Sequence, residues 1–185
     1  MNGELLQRPV VYFRQFPSRA TSLWVALGSF LILALAEVSS AGEMPSASDV
    51  PQVLMWLALN WILGVAFFGV LWFFVGARLL GGKGGLNATV RAVGYAFLVP
   101  GIVALAFTLL TAPLGKMSVG PTLGVLGVKV LLGLWAVCLA GVAVKFVQSL
   151  TWRRAAIVVL WMPAALLSLW VVVAAIIIFA VPFWR

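Results

Sequence analysis

Five long apolar runs, separated by short segments that hold nearly all the charged residues, constrain this chain most. A helix needs roughly 20 mainly apolar residues to cross about 30 Å of hydrocarbon. The runs therefore predict an all-α, polytopic transmembrane bundle of five helices at about 20–41, 53–78, 89–111, 122–145 and 155–182. They lack the alternation of a membrane β-barrel, and helices satisfy their own backbone hydrogen bonds in lipid.

Composition argues against a soluble fold and against most kinds of catalytic site. Hydrophobic residues make up 64% of the 185 residues and charged residues 9%, whereas soluble domains carry roughly 25% charged residues. A soluble protein would expose apolar patches of this kind to water. The chain has one cysteine, Cys138, so it cannot form an intrachain disulfide. It has no histidine, which excludes His-based catalysis and Cys/His zinc sites. We therefore predict a protein that is not an enzyme, with no catalytic, cofactor-binding or metal-binding residues.

The distribution of Lys and Arg predicts an N-in, C-out orientation. With the N-terminus inside, the inner segments hold nine basic residues, the outer segments hold two (Lys116 and Arg185), and Lys129 lies within a helix. Cytoplasmic loops carry the excess of Lys and Arg in membrane proteins. The net charge of +8 is accordingly interpreted as a topology signal and as contacts to anionic lipid head groups, not to nucleic acid.

The predicted organisation is a cytoplasmic segment, residues 1–19, followed by one transmembrane domain, residues 20–185. The first segment could lie on the membrane as an interfacial amphipathic helix. Alternatively, residues 1–41 fit a cleaved signal peptide, which would leave four helices. The predicted location is the cell membrane, as a multi-pass protein, or the inner membrane of a two-membrane bacterium.

Three polar residues interrupt the apolar runs at similar predicted depth. At about 1.5 Å per residue, Lys129 and Asn60 lie about seven residues below the outer surface and Glu37 about four. A lysine at the centre of a membrane helix costs about 2.5–3.5 kcal/mol, so a partner is expected. We predict an intramembrane polar cluster of Glu37, Asn60 and Lys129. Its role is either structural or a site for a lipid head group or small solute; the alternative is Lys129 snorkelling to the interface.

The connector between the second and third segments is glycine-rich and basic over Leu80–Asn87. It lacks the Lys-Ser/Thr pair and the preceding strand of a phosphate-binding loop. We interpret it as a flexible turn with Asn87 as the N-cap of the next helix. Arg78, Lys83 and Arg91 around it are candidate contacts to lipid head groups on the inner side. Glycines elsewhere in the apolar runs predict close helix packing.

A glycine-rich turn over Gly81–Gly84 is followed by the stretch Arg91–Ala96 and by Pro100. With these motifs, the segment Arg8–Phe16, and Leu134–Ala136 followed by Arg154–Ala156, the chain resembles the bacterial branch of the Yip (Ypt-interacting protein) family. The family-like residues are Gly81, Gly82, Gly84, Gly94, Tyr95 and Pro100.

The resemblance implies a five-helix membrane protein with a cytoplasmic N-terminus and no agreed enzymatic chemistry. Eukaryotic relatives act in vesicle trafficking and bind Rab-type GTPases. They carry an Asp-Leu-Tyr-Gly-Pro motif. This sequence has no match to that motif, which puts GTPase binding in doubt. The expected role is membrane organisation or a scaffold for membrane-protein partners, including self-association. The alternative is a small transport or lipid-handling protein that uses the polar cluster.

Overall fold

The structure is a computed structural model, and it describes residues 8–16, 21–39, 50–111 and 119–180. Apolar runs without internal turn signals form long helices, and the glycine-rich and polar segments connect them. The described residues form six helices, numbered in chain order: α1 Pro9–Gln15, α2 Leu23–Ser39, α3 Val50–Leu79, α4 Leu86–Thr111, α5 Val119–Val147 and α6 Trp152–Ala180. The described residues form no strand.

The helical membrane bundle predicted from the apolar runs is confirmed. Helices α3, α4, α5 and α6 are each long and apolar enough to cross a bilayer, and α2 adds a shorter apolar stretch over Leu23–Glu37. The observed bounds lie within about three residues of the predicted ones, as is usual for helix ends. The N-in, C-out orientation stays a prediction, and the signal-peptide site at residues 39–41 lies largely outside the described residues.

Helix α4 occupies the centre of the bundle, between α2 and α5. Small residues on α4 allow this packing, because Ala92, Gly94 and Ala96 are buried against their neighbours. Large apolar side chains on α3 and α6 are instead exposed, for example Leu54 at 58% and Trp170 at 73%. Exposed apolar faces of this extent suit a lipid environment, which removes their cost in water.

Only some of the apolar-run glycines make the predicted close helix contacts. A Cβ on Gly76 would overlap the Trp161 indole of α6, and one on Gly141 would overlap the Val159 side chain. The prediction fails for Gly124, Gly127 and Gly133 on α5, since a Cβ there would meet nothing within 4 Å. Glycine content therefore indicates close approach only where a neighbouring helix is present.

Helix α3 contains a π-helical stretch over Val65–Val75, which the sequence did not predict. Two tryptophans tie it to α6: Trp72 Nε1 donates to the Val158 carbonyl at 2.9 Å, and Trp161 Nε1 donates to the Trp72 carbonyl at 3.0 Å. The second bond uses a backbone oxygen of the π-helical stretch itself. Departures of this kind from α geometry are often found at functional sites.

The short helix α1 packs on the bundle through its aromatic residues. Phe13 and Phe16 are buried, and the Phe16 ring lies edge-on to Tyr95 of α4 with centroids 5.4 Å apart. The opposite side of α1 exposes Arg14. Helix α1 is thus anchored to protein on one face, while its predicted position at the membrane interface stays a prediction.

Candidate functional site

One end of the bundle is closed by the glycine turn, residues Gly81–Gly85, which packs against the turn between α5 and α6. Gly81 has φ +83°, a conformation that favours glycine. Gly82 approaches Gln148 and the Ala77 carbonyl too closely to accommodate a Cβ, because the Cβ would lie 2.6 Å and 2.8 Å from their oxygens. Gly84 lies equally close to the Val147 carbonyl. The turn is therefore packed closely against its partner, and its flexibility stays a prediction.

Gln148 joins the two turns from a fully buried position. Its side-chain Oε1 accepts from the Gly84 N–H at 2.8 Å, and its Nε2 donates to Thr89 Oγ1 at 2.6 Å. The Lys83 N–H donates to the Gln148 backbone carbonyl at 3.1 Å. Thr89 in turn donates to the Gly85 carbonyl, which also accepts the Thr89 N–H. We call this set, Gly84, Gly85, Thr89 and Gln148, the glutamine lock.

The prediction that Asn87 is the N-cap of helix α4 is wrong. Helix α4 begins at Leu86, and its first turn closes on the Gly85 carbonyl. Asn87 is therefore inside the helix, and its side chain is exposed. Gly85 precedes the helix instead, and its carbonyl accepts hydrogen bonds from both the backbone N–H and the side-chain hydroxyl of Thr89.

Basic side chains surround the glutamine lock. Arg78, Lys83, Arg153 and Arg154 are exposed, and we call these four the basic end. Arg78 also donates to the Gly82 carbonyl at 3.3 Å and lies over the Phe74 ring. A guanidinium held by such contacts loses less conformational entropy when it binds an anion.

Of the three predicted head-group contacts, Arg91 differs from the other two. Arg78 and Lys83 are exposed at the basic end, whereas Arg91 is half-buried and donates to the Thr21 carbonyl at 3.0 Å, just before α2. Next to it, the Ser22 N–H donates to the Tyr95 hydroxyl at 3.2 Å. Arg91 thus contributes to holding α2 against α4, and head-group binding by all three residues stays a prediction.

A cavity of about 80 Å³ lies between α2, α4 and α5 at the other end of α4. Its apolar walls include Leu33, Pro100 and Leu132, and small residues leave the space. Three polar residues line it, one from each helix: Glu37 of α2, Thr108 of α4 and Lys129 of α5. Glu37 is exposed, Lys129 is half-buried and Thr108 is buried.

The cavity brings together two of the three residues predicted as a polar cluster. Glu37 and Lys129 line the same space, but Asn60 is not among the lining residues. The Asn60 Nδ2 instead donates to the Trp56 carbonyl one turn earlier in α3, at 2.8 Å. A cluster of all three residues stays a prediction.

Sequence reasoning missed Thr108 and Gln148. Thr108 lies in an apolar run with other hydroxyl residues, and Gln148 lies in the short segment between the fourth and fifth predicted helices. A signal for Gln148 was available, since it and Thr89 are uncharged polar residues near the connectors on the same predicted side of the bundle. Nothing in the sequence singled out Thr108.

Replacing Gln148 with leucine is expected to destabilise the protein by about 2–3 kcal/mol, because the part-buried Gly84 N–H loses its acceptor and the buried Thr89 Oγ1 loses one of its two hydrogen bonds. Thermal unfolding of the purified protein in detergent measures the effect. Gln52→Leu, at an exposed position on α3, is the control and should change stability little. Thr89→Val combined with Gln148→Leu should cost less than the sum of the two. An additive result would contradict a direct interaction.

Comparison with known proteins adds one finding. Residues 3–181 match the family model described as the Yip1 domain. No curated protein and no solved structure matches the chain. The matched region includes the glutamine lock, the basic end and the cavity.

Proposed function

Because the chain belongs to the Yip1 domain family, we propose that this helical membrane protein is non-enzymatic and acts in membrane organisation or as a scaffold for partners. The observation that carries the proposal is the basic end held on the glutamine lock. Its binding targets are anionic lipid head groups, with membrane-protein partners or a second copy as further candidates. The cell membrane is the proposed location, and membership of the bacterial branch of the family stays a prediction.

The size of the attraction between basic side chains and anionic lipid supports the proposal that the basic end binds anionic head groups. A Lys or Arg near an anionic leaflet contributes about 1 kcal/mol, and the attraction falls off within a Debye length. The exposed cations Arg78, Lys83 and Arg154 are close together, since Arg154 Nη1 lies 3.3 Å from the Cβ position of Gly81 in the turn. Several cations on one rigid surface therefore favour anionic lipids over neutral ones.

The test is lipid retention in nanodiscs of mixed neutral and anionic phospholipid. Changing Arg78, Lys83 and Arg154 together to glutamine should lower the retained anionic lipid by about tenfold or more, because each lost cation removes about 1 kcal/mol. The matched control keeps every charge, with Arg78→Lys, Lys83→Arg and Arg154→Lys, and should retain anionic lipid like the wild type. Equal retention by the glutamine variant and the control would contradict the proposal.

The second candidate is a small transport or lipid-handling protein, which the polar-lined cavity favours. Flux and lipid-scrambling assays in liposomes test it with the wild type and Lys129→Met. Activity that is lost in the variant supports this function, and a wild type without activity counts against it.

A further inference from the structure

The Thr108 hydroxyl of the cavity differs from four other Ser and Thr hydroxyls of the described helices in one respect. Hydroxyls at Ser29, Thr89, Thr111 and Ser168 each donate to the backbone carbonyl four residues earlier. Within the described part of the chain, Thr108 Oγ1 is buried and has no hydrogen-bond partner. A buried hydroxyl without a partner costs about 1–3 kcal/mol. Its position in the wall of a cavity indicates that something else supplies the partner.

The charges that line the same cavity restrict what that partner is. Glu37 and Lys129 have opposite signs. A simple anion would be repelled by Glu37 and a simple cation by Lys129, so a ligand that carries both charges fits best. A carboxylate accepts several hydrogen bonds at once, so Glu37 can bind a ligand in addition to its contacts within the protein.

We propose that the cavity between α2, α4 and α5 binds the phosphoethanolamine head group of a zwitterionic phospholipid. The primary ammonium group donates to Glu37, the phosphate accepts from Lys129, and the Thr108 hydroxyl bonds to the head group. This binding does not depend on the proposed scaffold function, and it does not require transport.

The lining of the cavity favours a primary over a quaternary ammonium group. Choline head groups are recognised by cages of aromatic side chains. Among the described residues, none that lines this cavity is aromatic, and a quaternary ammonium cannot donate a hydrogen bond to Glu37. Phosphatidylethanolamine is therefore preferred over phosphatidylcholine.

The volume of the cavity also suits a small chemical group. A cavity needs about 10–15 Å³ of this kind of volume to hold one water molecule, so about 80 Å³ holds a group of several non-hydrogen atoms. An aminoethyl group fits within that space, whereas a nucleotide is much larger. The phosphate and the acyl chains would then remain at the mouth of the cavity and in the bilayer.

The experiment is native mass spectrometry of the full-length protein released from nanodiscs with equal amounts of phosphatidylethanolamine and phosphatidylcholine. The wild type should retain several-fold more phosphatidylethanolamine. Glu37→Gln should bring the retention of the two lipids close to equal, because it removes the charged acceptor of the primary ammonium group. Lys129→Met should lower the retention of both lipids several-fold, because both carry the phosphate. Arg14→Gln, which removes an exposed cation on α1 outside the cavity and the basic end, is the control and should keep the preference.

Thr108→Val keeps the proposal testable if a charge variant fails to fold. Without phosphatidylethanolamine, this variant should be as stable as the wild type or more stable, because it removes a buried hydroxyl without a partner. The rise in unfolding temperature on adding phosphatidylethanolamine should be smaller than in the wild type. An equal rise in both proteins would overturn the role of Thr108.

A soluble ligand is distinguished from the lipid by adding free phosphoethanolamine to protein in nanodiscs of phosphatidylcholine alone. Saturable stabilisation that Lys129→Met abolishes would support the same site with a free ligand. Equal retention of the two phospholipids by the wild type, together with no effect of the free compound, would overturn the proposal.

Discussion

Gly94→Leu is expected to separate α2 from α4 and to lower the unfolding temperature by about 10 °C. A Cβ at position 94 would lie 2.6 Å from both the Cβ and the carbonyl oxygen of Ala26, which is fully buried. Overpacking of this kind costs about 3 kcal/mol, and each kcal/mol shifts the midpoint by about 2–4 °C in a chain of this size. Thermal unfolding in detergent, with limited proteolysis to report on α2, measures the effect.

Two further variants show whether the contact with Ala26 causes the loss. Gly28→Leu on α2 is the control, because a Cβ there meets nothing within 4 Å. Adding Ala26→Gly to Gly94→Leu should restore only part of the stability, since the Ala26 carbonyl remains at 2.6 Å from the added Cβ. Full stability of Gly94→Leu alone would show that α2 does not pack on α4 as described.

Gly84→Val is expected to open the glutamine lock, with a loss of about 3 kcal/mol. A Cβ at position 84 would overlap the Val147 carbonyl and lie 3.1 Å from Cδ of Gln148. The turn must then move away, which breaks the Gly84 N–H bond to Gln148 at 2.8 Å. The measurements are the unfolding temperature and hydrogen exchange of the Gly84 and Lys83 amides, which should become faster.

The adjacent glycine provides a matched control for this prediction. A Cβ at Gly85 would meet nothing within 4 Å, so Gly85→Ala should leave the exchange of both amides nearly unchanged. If Gly85→Ala were as damaging as Gly84→Val, the effect would come from general helix or turn propensity and not from contact with the α5–α6 turn.

The sequence predicted the bundle well because spanning a bilayer depends on length and apolarity, which can be counted along the chain. Counting residues along the predicted helices also placed Glu37 and Lys129 at similar depth, and in the structure both residues line one cavity. Depth along a helix does not determine the direction of a side chain around it, which is why Asn60 bonds back to its own helix instead.

Features that depend on contact between distant segments could not be predicted from the sequence. Gly84, Gly124 and Gly127 look equivalent in a single chain, but only Gly84 has another segment packed against it. The unpartnered Thr108 hydroxyl and the π-helical stretch Val65–Val75 likewise result from how neighbouring helices pack.

The glutamine lock has a consequence for the order of events during biosynthesis. It bonds residues 64 positions apart in the chain, and chains are synthesised from the N-terminus at about 5–20 residues per second. The hairpin of α3 and α4 is therefore made and inserted several seconds before Gln148 leaves the ribosome. In that interval the Thr89 hydroxyl can already bond to the Gly85 carbonyl, but the Gly84 N–H must bond to water or to an insertion factor. The hairpin therefore reaches its final form only after α5 is complete.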